Sequence, residues 1–210
     1  MTFFRYALLV LACTATQAGA ASFDCAKAAT HAEKTICSDA ALSTLDERLN
    51  ASYRAAIART GNKVLLREWQ RGWLRAPELT ACKWAACMKP IFAAGVKLLD
   101  EAVASRWNGQ YVRYDSGKPD RHAADIVLLA LKDEAVAGRG SALWMGPNAA
   151  NGQINVGEFG GQGSFTGEHL IFESPDCHVS MSLKGDVLTV EDSNTCGGAN
   201  VSFTGQYRRK

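Results

Sequence analysis

The cysteines constrain this chain more than any other feature. One of them, Cys13, lies in an N-terminal segment of the targeting type, where Arg5 precedes the apolar run 6–12 and the small residues 18–20 offer a cleavage site. We therefore expect residues 1–20 to be a signal peptide, cleaved near Ala20, and the protein to be periplasmic or secreted. An even number of cysteines after an export signal predicts disulfide bonds, here among Cys25, Cys37, Cys82, Cys87, Cys177 and Cys196.

A second interpretation of the N-terminus remains open. The run Val10-Leu11-Ala12-Cys13 resembles a lipoprotein box, in which Cys13 would carry a lipid. Plain cleavage fits the segment lengths better, because Leu11 suits that box poorly and the apolar run would be very short. No later apolar run approaches the roughly 18 residues that a membrane-spanning helix needs, so we predict no transmembrane segment.

The spacing of the cysteines divides the chain into two halves. Four lie before residue 90 and two lie after residue 175. If the halves are separate domains, Cys177 pairs with Cys196, and the first four pair among themselves in one of three ways. No Cys-x-x-Cys and no histidine at zinc-finger spacing occur among them, so we predict no metal and no other cofactor. Among the three arrangements we favour Cys25 with Cys37 and Cys82 with Cys87.

Apolar periodicity predicts helices in residues 21–105. Thr30 and Glu33 have the spacing of a capping box, which satisfies free backbone N–H groups at a helix start. Apolar residues then recur every three or four positions, as in amphipathic helices, and Pro77 ends a third helix. We expect a fourth helix to start near Pro90, because proline suits the first turn. Helices this short must pack together, and disulfides suit so small a module.

The pattern becomes that of β-strands in residues 106–210. Apolar residues recur at every second position, and Lys184-Gly185-Asp186 reads as a hairpin turn. The glycine-rich region 138–163 is expected to hold long loops, with 157–163 as a flexible turn or bulge. The predicted fold class is therefore α+β, a small disulfide-stapled antiparallel helical module followed by an antiparallel β-barrel or sandwich. The predicted strands are 109–113, 125–132, 170–172, 179–183, 187–190 and 201–207.

A short repeat links the two ends of the β-half. Gly109-Gln110-Tyr111-Val112-Arg113 near its start is echoed by Gly205-Gln206-Tyr207-Arg208-Arg209 at its end. The first and last strands of a closed barrel are neighbours, so related sequences at these positions would suit closure.

Charge is nearly balanced over the whole chain but not along it. The formal net charge of +2 argues against nucleic acid as the main partner. The stretch 158–192 holds seven acidic residues and one lysine. A local acidic surface favours a basic protein partner through electrostatic steering, and an ordinary solvated face is the alternative. The partner contacts that we predict are Glu158, Glu168, Glu173, Asp176 and His178.

The motifs of common enzyme classes do not occur in this sequence. It has no G-x-S-x-G elbow and no H-E-x-x-H, and oxidised thiols of an exported protein cannot act as nucleophiles. His169 and His178 could approach each other across strands, beside Glu168, but surface or turn positions are the favoured interpretation. We therefore predict a binding protein and not an enzyme.

Four spaced motifs mark the N-terminal half. They are Cys25-x11-Cys37, Leu42-x-x-Leu45-Asp46-x-x-Leu49-x-x-x-Tyr53, Gln70-Arg71-Gly72-Trp73-Leu74, and Cys82 followed by Cys87-Met88-x-x-x-Phe92. Together they resemble the LprI-type lysozyme-inhibitor family over about residues 23–102. The β-half is similar, less closely, to a C-terminal extension of some of these proteins. One departure is Ala76-Pro77, where the family usually carries an arginine.

The resemblance implies an exported inhibitor of lysozyme-type peptidoglycan hydrolases that occludes the hydrolase cleft. Lysozymes are typically basic, so acidic groups would steer the approach while segment 157–163 or His178 reaches the cleft. Two alternatives stay open. One is an immunity protein against a rival's secreted cell-wall hydrolase. The other is a cell-envelope binding module, for which Trp107 and Trp144 would be exposed contacts.

Overall fold

A computed structural model describes residues 21–210 of this protein. The expected signal peptide and Cys13 lie outside these residues. Within the described range a helical module precedes a β-barrel. Its helices are α1 (His31–Ser38), α2 (Ala40–Thr60), α3 (Lys63–Arg75), α4 (Pro77–Thr80) and α5 (Ala85–Glu101). Its strands are β1 (Gly109–Asp115), β2 (Lys118–Pro119), β3 (Ala124–Ala130), β4 (Val136–Met145), β5 (Ile154–Thr166), β6 (His169–Ser174), β7 (Cys177–Lys184), β8 (Val187–Asp192) and β9 (Gly205–Arg209).

Each of the first three helices begins with a side-chain N-cap. Thr30, Asp39 and Asn62 each accept a hydrogen bond from the backbone N–H three residues further on. The predicted capping box is present, because Glu33 in turn accepts from the backbone N–H of Thr30 at 2.8 Å. These caps satisfy donors that have no partner inside the helix. At its other end α2 stops at Gly61, whose left-handed φ of 66° terminates the helix.

The last helix starts earlier than the sequence suggested. α5 begins at Ala85, and Pro90 lies inside it. The predicted start near Pro90 was wrong because the helix continues through the proline, although Pro90 lacks one backbone N–H donor. Burial of Met88 and Phe92 on either side of the proline offsets that loss.

The helices share one apolar core, which α2 and α5 dominate. Trp73 of α3 meets Phe92 of α5 edge-on, with ring centroids 5.2 Å apart. Such edge-on pairs stabilise a core beyond the area that they bury. Two disulfides staple this module, one tying α1 to the segment before it and one joining the α4–α5 connection to α5. They are the pairs favoured from spacing, Cys25 with Cys37 and Cys82 with Cys87.

Eight of the strands form a closed antiparallel barrel in the order β1-β3-β4-β5-β6-β7-β8-β9, with β9 paired back to β1. The closure occurs at the sequence echo, where Tyr111 is in register with Arg209 and Arg113 with Tyr207. Of the two predicted architectures, barrel and sandwich, the barrel is correct. Lys184-Gly185-Asp186 is the hairpin turn between β7 and β8, as predicted, and Gly185 has a φ of +59°.

The glycine-rich region 138–163 consists mainly of strands, so the prediction of long loops was wrong. Segment 157–163 lies wholly inside β5. The glycines make room for aromatic rings inside the barrel. A Cβ at Gly138 would lie 2.3 Å from the ring of Phe172, and one at Gly140 would lie 2.2 Å from the ring of Phe159. Glycine here serves close packing within strands.

The segment that precedes β9 covers one end of the barrel. The predicted strand 201–207 is shorter in the structure, since β9 begins at Gly205. Residues 193–204 cross the barrel end instead, and bury Val201 and Phe203 in its core. The Cys177–Cys196 disulfide joins this segment to the start of β7, which is the pairing expected for the second half.

The module and the barrel pack directly on each other. Apolar side chains on the outer face of β3 and β4, and just after β3, belong to the helical core, namely Val127, Leu129, Leu131 and Ala137. This contact explains why β3 is apolar on both faces. Arg139 of β4 adds a polar contact, because its guanidinium donates to the carbonyl of Trp69 at 3.1 Å and also to the carbonyl of Glu68.

Candidate protein-binding site

The structure distributes the five predicted contact residues over three places. Glu173, Asp176 and His178 lie together at the β6–β7 hairpin. Glu158 lies on the outer face of β5, where the helical module faces the barrel. Glu168 lies in the β5–β6 turn, at the opposite end of β6. Because β6 has six residues, about 20 Å separate the two turns.

We call residues 173–178 the acidic hairpin. Glu173 and His178 face each other across the ladder, and Glu173 Oε1 lies 3.2 Å from His178 Nδ1. Their side chains are 73% and 50% exposed, and Asp176 in the intervening turn is also exposed. An ion pair this exposed contributes little to stability. The carboxylates and the imidazole are therefore accessible to a partner.

Two features hold the acidic hairpin in place. The Cys177–Cys196 disulfide ties its base to the segment that covers the barrel end, with a Cα–Cα distance of 4.6 Å. The backbone of His178 exchanges hydrogen bonds with Ser193, donating to Oγ at 3.1 Å and accepting from N at 3.0 Å. A surface that is rigid before binding loses less conformational entropy when a partner docks.

One further acid belongs to the same surface and was not among the predicted contacts. Glu191 of β8 is exposed and lies opposite Ser180 of β7, on the outer face that also carries Glu173. The alternation in β8 could have revealed it, because Leu188 and Val190 point into the barrel and their neighbours must point out.

The next acid along the chain has a structural role. Asp192 Oδ1 accepts from Ser202 Oγ at 2.7 Å and from Thr204 Oγ1 at 2.6 Å. Burial alone would raise the pKa of Asp192, but these hydrogen bonds outweigh it and lower the pKa. Its carboxylate holds the end of β8 to the segment before β9, and this role separates it from the exposed acids.

Three other possibilities raised for this half do not occur in the structure. His169 begins β6 whereas His178 pairs with Glu173 near its end, and both histidines are exposed, as the favoured interpretation predicted. Segment 157–163 forms barrel wall and has no free loop to insert into a partner. Trp107 is buried in the barrel core and Trp144 packs against it, so neither is an exposed contact of an envelope module.

The comparison with known families concerns the helical module. Residues 25–105 match the family model described as lysozyme inhibitor LprI. The helical module is similar to this family over the matched residues, and we call it the LprI-type module. This confirms the resemblance carried by the four motifs, and the match covers less than half of the chain and none of the barrel. No curated protein and no solved structure matches the chain.

Most motif residues of the LprI-type module serve its core. Leu42 and Leu49 are buried, and Tyr53 and Trp73 pack against the same cluster. Asp46 accepts a hydrogen bond from the backbone N–H of Ser22 at 2.7 Å. These side chains therefore support the fold of the module.

The LprI-type module and the acidic hairpin carry opposite charge. Four exposed cations recur at every fourth position of α3, which places them on one face: Lys63, Arg67, Arg71 and Arg75. A basic partner would be repelled by this face and attracted to the acidic hairpin. Within residues 21–210 no three His, Cys, Asp or Glu side chains group closely enough to hold a metal ion. None of the helices in that range is long and apolar enough to cross a membrane.

Proposed function

We propose that this protein is an exported inhibitor of lysozyme-type peptidoglycan hydrolases. The observation that carries the proposal is the match of residues 25–105 to lysozyme inhibitor LprI. The three disulfides support an oxidising compartment, either the periplasm or the exterior of the cell. The protein would act by binding the hydrolase, without turnover of its own.

The acidic hairpin is our candidate for the inhibitory contact. It is exposed, held by a disulfide, and carries the carboxylate of Asp176 in its turn and that of Glu173 on the adjoining strand. These charges would steer a basic lysozyme towards the hairpin and pair with cations at the rim of its cleft. His178, which already contacts a carboxylate in Glu173, would meet the catalytic carboxylates inside the cleft. Occupation of the cleft would exclude the glycan.

The experiment compares two double variants in a lysozyme assay at several salt concentrations. E173Q/D176N removes two charges from the acidic hairpin. The matched control E134Q/E168Q removes two exposed charges elsewhere on the barrel. We expect the first variant to inhibit several-fold less at low ionic strength and with a weaker salt dependence, since exposed pairs contribute about 0.2–1 kcal/mol each. Equal behaviour of the two variants would refute the assignment of the hairpin.

A further inference from the structure

A large open cleft lies beside the contact between the LprI-type module and the outer face of the barrel. Its volume is about 1010 Å³, at the upper end of the range for small-molecule sites. One wall is formed by α3 and α5, with the half-buried Trp69 and Trp73 along it. The guanidinium of Arg139 lies over the ring of Trp69, so Trp73 is the aromatic ring left for a ligand on this wall. The other wall is the outer face of β3, β4 and β5. None of the residues of the acidic hairpin lines this cleft.

A row of polar side chains crosses the barrel wall of the cleft. Asp125, Ser141 and Glu158 are in register on three adjacent strands. Adjacent strands lie about 4.8 Å apart, so the row extends across about 10 Å. Among residues 21–210 no hydrogen bond satisfies the side chain of any of the three, although Asp125 and Ser141 are partly buried. Their hydrogen-bonding groups are therefore free for a ligand.

The floor beside this row is bare backbone. Gly160 faces outward between Glu158 and Gln162, and the nearest atoms to a Cβ built there are the carbonyl oxygen of Gly138 at 3.6 Å and Cβ of Arg139 at 3.8 Å. The cleft remains open at this point because a side chain at Gly160 would occupy it. Flat surfaces beside aromatic side chains suit ring-shaped ligands, which stack on them.

The charges that line the cleft nearly cancel. Three cations, Arg75, Lys97 and Arg139, stand against four carboxylates, Glu78, Glu101, Asp125 and Glu158. A strongly charged ligand would gain little from such a mixture. A neutral ligand with many hydroxyl and amide groups would use the donors and acceptors individually.

We propose that this cleft binds a neutral oligosaccharide, with a sugar ring against Trp73 and hydroxyl groups on the row Asp125, Ser141 and Glu158. This binding is separate from the contact between the acidic hairpin and lysozyme. It would let the protein attach to a glycan and to a hydrolase at different surfaces.

The raised pKa of Asp125 agrees with this assignment. Burial raises the pKa of Asp125, while the nearby Arg139 partly opposes the shift. A carboxylate that is partly desolvated and unpaired reduces the stability of the fold. Such groups concentrate at functional sites, where a ligand provides the missing partners.

The test measures binding of tetra-N-acetylchitotetraose to the full protein by calorimetry, without lysozyme. G160L would fill the floor of the cleft. The fold accommodates its Cβ, because the nearest atom is 3.6 Å away and the glycine does not have a positive φ. E158Q changes one exposed member of the row, and T189L on the outer face of β8 is the matched control.

We expect saturable binding by the wild type and T189L, about tenfold weaker binding by E158Q, and none by G160L. Absence of binding by the wild type, or equal binding by all four proteins, would overturn the proposal. If circular dichroism shows that G160L is poorly folded, the comparison of oligosaccharide binding by E158Q and by T189L decides whether the row takes part in binding. Because lysozyme is absent, a negative result leaves the proposed inhibition untouched.

Discussion

The guanidinium of Arg139 lies directly against the backbone of Gly72. A Cβ built at Gly72 would be 1.5 Å from Arg139 Nη1, so only glycine leaves room for this contact. In that position Arg139 reaches two carbonyls of α3 and lies over the ring of Trp69, with Cζ 5.4 Å from the ring centroid. The glycine of the Gln70–Leu74 motif thus has a packing role between the LprI-type module and the barrel.

This contact predicts the effect of G72A. The added methyl group displaces the guanidinium, and the hydrogen bonds to α3 are lost. We expect the free energy of unfolding to fall by about 1–3 kcal/mol, measured by urea denaturation. In a double-mutant cycle, G72A should lower the free energy of unfolding much less in the R139A background than in the wild type. Additive costs would show that the two residues act independently.

The two strands that close the barrel, β1 and β9, carry matching hydrogen bonds. Tyr111 Oη donates to the carbonyl of Trp107 at 3.0 Å, and Tyr207 Oη donates to the carbonyl of Phe203 at 2.7 Å, four residues upstream in both cases. The same correspondence holds for the arginines of the echo. Arg209 donates to the carbonyl five residues before Tyr111, and Arg113 donates to the carbonyl five residues before Tyr207. The repeat therefore forms an approximate local two-fold arrangement.

Y111F and Y207F should consequently destabilise the protein by similar amounts. Both tyrosines are fully buried, and burial raises the pKa of each phenol, so both remain donors at neutral pH. Loss of either hydroxyl leaves a buried carbonyl without its donor, at a cost of about 1–2 kcal/mol in thermal or urea unfolding. Y114F on the same strand is the control, because Tyr114 is only partly buried. A cost for Y114F equal to the other two would contradict this assignment.

The local features of this fold could be predicted from the sequence. The capping box, the hairpin turn at Gly185 and the barrel closure each depend on a few adjacent residues or on one repeat. The role of the glycines in β4 and β5 was misinterpreted because it depends on contacts with the rings of Phe159 on β5 and Phe172 on β6. Those contacts form only when the strands pair. Composition alone does not distinguish a glycine that frees a loop from one that accommodates a ring.

The candidate site was only partly predictable for a similar reason. Glu168 and Asp176 are eight positions apart in the sequence, yet they lie at opposite ends of β6. A count of charges along the chain does not indicate which end of a barrel each charge occupies. The cleft was not foreseen, because Asp125 and Glu158 become neighbours only through the pairing of β3, β4 and β5.

D125N should stabilise the protein at neutral pH. The pKa of Asp125 is raised by burial in the folded state, so its favourable contribution is complete below the unfolded pKa and is lost as pH rises through the folded pKa. Asparagine does not ionise and avoids this loss. We expect a higher melting temperature for D125N at neutral pH, and no difference well below the ordinary value of 3.8. The control D115N changes an exposed aspartate on β1, and an equal gain there would contradict the burial argument.

Removal of the third disulfide should affect inhibition as well as stability. C177A/C196A opens a loop of 19 residues, for which chain entropy predicts a loss of about 3 kcal/mol. It also releases the base of the acidic hairpin, so we expect weaker inhibition of lysozyme at temperatures where the variant remains folded. C25A/C37A, which opens a loop in the other half of the chain, is the matched control. Equal loss of inhibition in both variants would argue against a special role for the hairpin.

The most direct measurement of the central claim is the steady-state kinetics of lysozyme on a soluble oligosaccharide. The purified full protein is added at increasing concentration, with the substrate in large excess so that glycan binding by the protein does not deplete it. Occlusion of the cleft predicts competitive inhibition, in which the apparent KM rises with the concentration of the protein and kcat is unchanged. Full lysozyme activity with the protein in excess over the enzyme, or a fall in kcat at constant KM, would contradict the account.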